Sequence, residues 1–276
     1  MTNISDDEQP LQAVVVTDLD GTLLDHRTYS YAPAQPALDW IAERNIPLIL
    51  ASSKTASEIS SLQQELDITH PAIVENGGGV WIPPGYFSAD SQTISPGTNY
   101  NTIMKTLADC PKELRQKFSG FCDWSTAEIA EKTGLTEAAA ARAGNRSWSI
   151  PGVWHGDRHE YQSFVHYLTE HGLLVTQGGR FIHIMGNTSK GKMLSWLMEL
   201  FQKKYIGSKV ISIALGDAPN DRTMLEVADH AIVIPNLSGK ILDLDPRQMK
   251  GTLLRAEHPG PAGWNSAVLP LLKKLE

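Results

Sequence analysis

Apolar residues along the chain fall into short runs divided by stripes at helical spacing. Val14-Val15-Val16 is an unbroken β-branched run before Thr17-Asp18, the mark of a strand buried on both faces. Leu38 and Ile41, with Trp40 beside them, predict a helix over Pro36 to Arg44. Ile46-Pro47-Leu48-Ile49-Leu50 reads as the next strand, its proline near the start, where a strand tolerates it. Thr55 and Glu58 have capping-box spacing, and Ile59, Leu62 and Leu66 share one face of the helix that the box would open. Ala72-Ile73-Val74 and, after a glycine turn, Val80-Trp81-Ile82 are further strands. This alternation predicts a parallel α/β sheet with helices on its faces. The same grammar returns late in the chain. Met193, Leu194, Leu197, Met198 and Phe201 form a helical stripe, and Val210 to Leu215 and Ala231 to Ile234 are strands.

The middle breaks the pattern. Ser88 to Asn101 is rich in Ser, Thr, Pro, Gly and Asn and reads as a linker. Residues 101 to 143 read mainly as helix, and 146 to 185 mix strand-like and helical pieces. The expectation is an α/β core in two parts, 1–85 and 187–276, interrupted by an α+β insertion over 86–186. Residues 236 to 276 are rich in Pro and Gly and resist assignment.

Composition narrows the classes. At 276 residues, 41% hydrophobic and 20% charged, the chain suits a soluble core with a smaller insert. A net charge of −7 argues against nucleic acid, whose backbone needs a basic footprint. No polybasic or lipidation signal points to a membrane surface, and no apolar run approaches the ~18 residues of a span. The polar, acidic segment Met1 to Pro10 lacks signal-peptide features, so a cytoplasmic location is expected. Cys110 and Cys122 have neither disulfide-framework nor zinc-site spacing and read as packing or surface residues. The sequence gives no indication of oligomeric state.

The chemistry lies just after the strands. In an open α/β sheet, ligands bind at the carboxyl ends of the strands. Asp18-Leu19-Asp20-Gly21-Thr22 puts two carboxylates at such an end, one able to attack as a nucleophile and one to carry a proton. Gly21 permits a tight turn and close approach to a phosphate. Gly216-Asp217-Ala218-Pro219-Asn220-Asp221 is a second acidic cluster behind a strand. Gathered carboxylates repel unless a cation sits between them, and hard oxygen ligands in an incomplete shell suit Mg²⁺. Ser52 and Ser53 precede a helix that Thr55 already caps, so a hydroxyl is spare for phosphate, with Ser52 favoured. Lys190 or Lys192 could offset phosphoryl charge, although the helix dipole disfavours lysine at a helix start. Each motif alone has a plainer reading as an acidic turn, a cap or a solvated lysine.

In this order the four motifs resemble the haloacid dehalogenase superfamily of phosphohydrolases. The resemblance implies a Rossmann-like parallel-sheet core, an inserted cap that shapes the substrate pocket, Mg²⁺ and an aspartyl-phosphate. It implies Asp18 as nucleophile and Asp20 as the group that protonates the leaving oxygen and later activates water. It implies Asp18, the Asp20 carbonyl and Asp217 as Mg²⁺ ligands, with Asp221 orienting a metal-bound water or binding the metal. It also selects Lys190 over Lys192 and Ser52 as catalytic groups. Ser52-Ser53-Lys54-Thr55, Glu75-Asn76-Gly77-Gly78-Gly79 and Gly178 to Gly186 further resemble the mannosyl-3-phosphoglycerate phosphatase branch. So do Thr126 to Gly134 and Arg146 to Trp154, although Ile150-Pro151 stands where that pattern has an acidic residue before the proline. The branch implies a phosphorylated sugar or glycoside as substrate, bound by Ser53, Lys54, Glu75, Asn76, Gly77, Arg180 and His183. Read from the residues alone, Glu75 and Asn76 at a strand end could hydrogen-bond sugar hydroxyls or simply cap a glycine hairpin, and Arg180 and His183 could bind a carboxylate or be ordinary exposed strand residues. A glucosyl-3-phosphoglycerate or other sugar-phosphate phosphatase, a phosphotransferase or mutase, and a non-enzymatic binder are the rival readings. Trp148 and Trp154 are read as packing residues rather than sugar-stacking ones.

Overall fold

The structure is a computed structural model that describes residues 9–88, 97–177, 180–237, 239 and 242–276. The first half of the core runs β1 (Leu11–Thr17), α1 (Gln35–Glu43), β2 (Leu48–Ala51), α2 (Ala56–Glu65), β3 (Ala72–Val74) and β4 (Gly79–Trp81). The insert follows as α3 (Tyr100–Ala108), α4 (Lys112–Arg115), β5 (Phe118–Gly120), α5 (Thr126–Thr133), α6 (Glu137–Gly144), β6 (Ser149–Trp154), α7 (Arg158–Glu170), β7 (Leu173–Gln177) and β8 (Ile182–Gly186). The chain returns to the core with α8 (Lys190–Lys204), β9 (Lys209–Gly216), α9 (Arg222–Glu226), β10 (His230–Val233), β11 (Thr252–Arg255) and α10 (Gly260–Leu275).

Seven strands form the core sheet in the order β11-β10-β9-β1-β2-β3-β4. The β-branched run of β1 lies at its centre, paired in parallel with β2 and β9. Period-two alternation divides the core into two layers. Val15 faces a cluster with Leu38 and Ile41 of α1, Ile59 of α2, and Trp264, Val268 and Leu272 of α10. Val14 and Val16 face Met193, Leu194, Leu197 and Phe201 of α8 and Met224 and Leu225 of α9. Helices thus cover both faces, as an all-apolar central strand demands. The insert has its own antiparallel sheet, β5-β6-β8-β7. Its separate core joins Ile103 and Leu107 of α3 to Phe118, Ile150, Phe164, Leu168 and Ile184.

Register delivers the site. Thr17 pairs with Leu50 on one side and Leu215 on the other, and Gly216 pairs with Val233. Asp18, Ser52, Asp217 and Asn236 therefore all emerge at the carboxyl edge of one sheet. Beneath this edge the fully buried Trp264 indole donates to Thr17 Oγ1 at 2.9 Å, and that hydroxyl donates to the Asp18 carbonyl at 2.7 Å.

The expected elements form, with particular differences. The strand predicted from Ile46 begins at Leu48, after Pro47, and the capping box of Thr55 and Glu58 opens α2. β4 runs antiparallel to β3, because Glu75 to Gly78 are too few residues for a parallel crossover. Part of the predicted 88–101 linker, residues 89–96, lies outside the described residues; Asn99 caps α3 at its far end. β5, β11 and α10 were not expected. Three residues of β5 carry too little alternation to register, and β11 is a largely exposed edge strand. α10 carries Pro261 at its start and Pro270 inside, and an interior proline normally costs about 3 kcal/mol. Burial of Trp264, Val268 and Leu272 offsets that cost. Trp154 packs on Phe164 and Tyr161 within the insert, as read. Among the described residues no helix is long and apolar enough to cross a membrane. Trp264→Ala would remove the largest core side chain and the support under Asp18, so the unfolding free energy from urea titration should fall by about 3–5 kcal/mol.

Candidate active site

The centre of the site is one buried ammonium among buried carboxylates. Ser189 caps α8 through Lys192 N–H, which turns Lys190 into the sheet edge. Lys190 Nζ donates to Asp18 Oδ1 at 2.7 Å and to Asp221 Oδ1 at 2.6 Å. Lys190 and Asp221 are fully buried; Asp18 and Asp217 are 6% and 5% exposed. Lys192, by contrast, is exposed and bonded to Asn187. The position that the helix dipole disfavours is therefore occupied by a lysine whose partners are carboxylates rather than water. Burial opposes its charge, but Asp18 and Asp221 outweigh that and raise its pKa above the usual lysine value.

Asp221 Oδ2 accepts from the N–H groups of Asp217 and Ala218, at 3.1 Å each, so the second acidic cluster folds back on itself. Asn236, which the sequence analysis missed, donates to Asp217 Oδ2 at 2.7 Å. It stands three residues past the end of β10, behind Ile234 and Pro235, so the strand-end signal that marks the other edge residues is weaker for it. Two glycines make the crowding possible. Gly21 has φ +86°, and a Cβ there would stand 2.6 Å from Asp217 Oδ2. Its close approach is thus to a carboxylate as well as to any phosphate. A Cβ on Gly216 would lie 2.5 Å from that of Asp221.

Carboxyl oxygens of Asp18, Asp217 and Asp221 lie within 4.8 Å of one another. Three carboxylates face one ammonium. Burial, then the charge of Asp221, pushes the Asp18 carboxyl up to about 7, against the pull of Lys190. Burial, then Asp18 and Asp221, pushes Asp217 up to about 8. Asp217 Oδ1 is buried without a hydrogen-bond partner. An orphaned acceptor in an excess of buried negative charge fits a hard divalent cation such as Mg²⁺. The Asp20 side chain stands outside this group: its Oδ2 accepts from Lys54 Nζ, and its Oδ1 is buried without a partner.

The other predicted site residues divide between the sheet edge, the contact with the insert and the cleft. Ser52 directly follows β2 and is 1% exposed, its Oγ accepting from Lys54 N–H at 3.3 Å. Asn76 accepts from Asn220 at 3.2 Å, and its own buried amide nitrogen lacks a partner. Two residues differ from expectation. The Glu75 carboxylate does not open toward a sugar; it accepts from Ser147 N–H, Trp148 N–H and Ser149 Oγ of the insert at 2.9, 3.1 and 2.7 Å. Gly77, at φ +89°, lies against the backbone of Ser189 and Lys190, where a Cβ would collide at 2.3 Å. Its smallness seats α8 rather than a ligand, while Gly78 and Gly79 make room for Trp148.

A cleft of about 510 Å³ separates core and insert. Asp20, Ser53 and Lys54 line it from the core, and Arg146, Arg180, Phe181 and His183 from the insert. His183 is buried with its Nδ1 unpartnered; burial and then the Arg146 charge lower its pKa to about 3, so the ring is neutral. Arg180 is exposed and donates to the Thr133 carbonyl at 2.7 Å. Gly178 and Gly179 of the same motif lie outside the described residues. Arg146 was not singled out as a site residue, because one arginine after a helix end looks like a solvated charge. A second groove of about 470 Å³, around Trp154, Arg158 and Tyr161, is lined by none of the clustered carboxylates.

If a cation is what reconciles these carboxylates, Asp217→Asn should have opposite effects with and without it. At about pH 9 in chelator, it should raise the thermal midpoint, since the folded-state cost of ionising a raised-pKa carboxyl grows with pH. The same variant should lose most of the midpoint gain that Mg²⁺ gives the parent. Differential scanning calorimetry reads both.

Comparison with known proteins bears on this geometry. Residues 15–123 match the haloacid dehalogenase-like hydrolase family. A glucosyl-3-phosphoglycerate/mannosyl-3-phosphoglycerate phosphatase of Methanococcoides burtonii is 36% identical over 96% of this chain and 98% of its own length. A protein of the same name from Persephonella marina is 34% identical over 95% of this chain and 98% of its own. Among solved structures, the phosphatase BT1666 of Bacteroides thetaiotaomicron superposes with a TM-score of 0.65 over 99% of this chain and 97% of its own, at 18% identity, a likeness of fold. The parallel core with its inserted cap and the near full-length identity to named phosphatases agree: the chain belongs to the haloacid dehalogenase-like hydrolases and is a phosphoric monoester hydrolase.

Proposed function

We propose that the protein is a Mg²⁺-dependent phosphatase that works through an aspartyl-phosphate on Asp18 and acts on a glycosyl-3-phosphoglycerate. Lys190 holds Asp18 Oδ1, so Oδ2 is the oxygen assigned to attack phosphorus. As the phosphorus–oxygen bond to the alcohol breaks, Asp20 gives its proton to the leaving oxygen. Asp20 then takes a proton from water as that water's oxygen attacks the phosphorus, the bond to Asp18 breaks, and phosphate leaves. Held by Asp18, Asp217, Asp221 and the Asp20 carbonyl, Mg²⁺ would neutralise charge on the phosphoryl oxygens. Lys190 and the Ser52 hydroxyl act on the same charge from the protein side. The division into core 1–85 and 187–276 and cap 86–186 belongs to this reading: the cleft between them holds the rest of the substrate.

The observation that carries the substrate is the identity to the two curated relatives over nearly the whole chain, cap included. The cleft suits such an ester. A phosphoglycerate carries a carboxylate beside its phosphate, and the cations Lys54 and Arg180 line the wall. Mannosyl-3-phosphoglycerate, yielding mannosylglycerate, is the favoured substrate. The relatives' double name supports the glucosyl ester beside it.

A panel of phosphate esters assayed for released phosphate tests the reading. Both glycosyl-3-phosphoglycerates should exceed free 3-phosphoglycerate and hexose phosphates by at least about tenfold in kcat/KM. A flat profile would remove the substrate assignment, and phosphoryl transfer to sugar in place of free phosphate would make the enzyme a mutase. Chelation should stop turnover and added Mg²⁺ restore it. Asp18→Asn should abolish turnover with an unchanged circular dichroism spectrum; a near-normal rate in that variant would show the nucleophile to be wrong.

A further inference from the structure

Glu75 and Asn76 have consecutive φ values of +49° and +59°, a conformation that L residues seldom adopt. The turn they make aims two backbone donors at the loop after β2. Asn76 N–H donates to the Ser52 carbonyl and Glu75 N–H to the Lys54 carbonyl, at 2.9 Å each. The carbonyl between them belongs to Ser53 and has a different partner. Arg146 of the cap reaches it with both Nη1 and Nη2 at 3.1 Å. Three successive carbonyls are therefore gripped, and only the middle grip comes from the cap.

Arg146 is itself fixed. Its Nε donates to the Ala143 carbonyl at 3.1 Å and its Nη1 to Ser149 Oγ at 2.9 Å. The Glu75 carboxylate, 3.8 Å from Nη1, takes the donors of Ser147, Trp148 and Ser149 from the core side. The two side chains are 5% and 1% exposed. A buried pair of this kind adds little net stability, but it defines one geometry and penalises loss of either partner. The loop it defines continues into Lys54, whose ammonium holds Asp20.

We propose that Arg146 is a positioning residue for the reaction: with the cap docked it holds the Ser53 carbonyl, and through Lys54 it sets Asp20 against the leaving oxygen. This rests on Asp20 being the proton carrier. Of the contacts between cap and core, the one on the Ser53 carbonyl then reaches the loop that carries Lys54, so that proton transfer is in register only over an enclosed substrate.

The leaving group separates positioning from general damage. A p-nitrophenolate departs without a proton, whereas a sugar or glycerate alkoxide needs one. The experiment measures first-turnover alcohol release with full-length protein and Mg²⁺, on p-nitrophenyl phosphate and on the alkyl phosphate ester that the enzyme hydrolyses best. Arg146→Met should slow release from the alkyl ester by about 10- to 100-fold, the scale of a 1 Å misplacement, and from the nitrophenyl ester by less than about threefold. Arg146→Lys should recover part of the loss. Equal loss on both esters, or loss on neither, overturns the proposal. Should Arg146→Met not fold, Ser149→Ala removes one partner of both Arg146 and Glu75 and must show the same preference, at about threefold. Asp20→Asn serves as the reference. If it lacks the leaving-group split, the proton-carrier assignment fails; if it has the split and the Arg146 and Ser149 variants lack it, only the positioning proposal fails.

Discussion

The structure depends on holding like charges together out of water. Three carboxylates, from Asp18, Asp217 and Asp221, meet at one sheet edge beside a single buried ammonium. Such an arrangement opposes folding unless every oxygen is answered, because buried charge without a partner is expensive. Lys190 answers two of the carboxylates, the backbone of Asp217 and Ala218 answers Asp221 again, and Asn236 answers Asp217. Two oxygens are left over, Asp217 Oδ1 and Asp18 Oδ2, and in the proposed reaction the cation and the transferring phosphoryl group would meet them.

Much of the surrounding backbone serves this crowding. Gly21 and Gly216 are small because carboxylates occupy the space that a Cβ would take. Gly77 is small because the start of α8 must come within contact of the β3–β4 turn to bring Lys190 in. The indole of Trp264 and the hydroxyl of Thr17 brace the Asp18 backbone from below. The cap then adds a second, looser layer: a cleft with arginines, a neutral histidine and aromatic rings facing Asp20 and Lys54. The buried carboxylates and their ammonium thus sit in the core, and most of the polar and aromatic side chains of the cleft sit on the insert.

The meeting of the two acidic motifs was legible in the sequence because each follows an apolar strand, and strand ends of a parallel sheet converge. Lys190 was legible through its awkward place at a helix start together with the family pattern. Elements whose stability comes from tertiary burial were not legible. α10 is punctuated by prolines and glycines and holds through Trp264, Val268 and Leu272. β11 borrows its conformation from β10. Side-chain direction was the other hidden quantity. Glu75 reads as a sugar ligand at a strand end, yet its positive φ sends its carboxylate into the cap. Arg146 opens a segment that resembles the family branch but has no role of its own in the sequence until the fold sets it over Ser53.

The central claim is that Asp18, held by Lys190, accepts the phosphoryl group. Acid quenching during turnover, followed by borohydride reduction and peptide mass spectrometry, tests it directly, because an acyl phosphate is reduced to an alcohol where a free carboxylate is not. The account predicts homoserine at position 18 alone. Homoserine at Asp20 or Asp217, or none at position 18 while phosphate is being released, would contradict it.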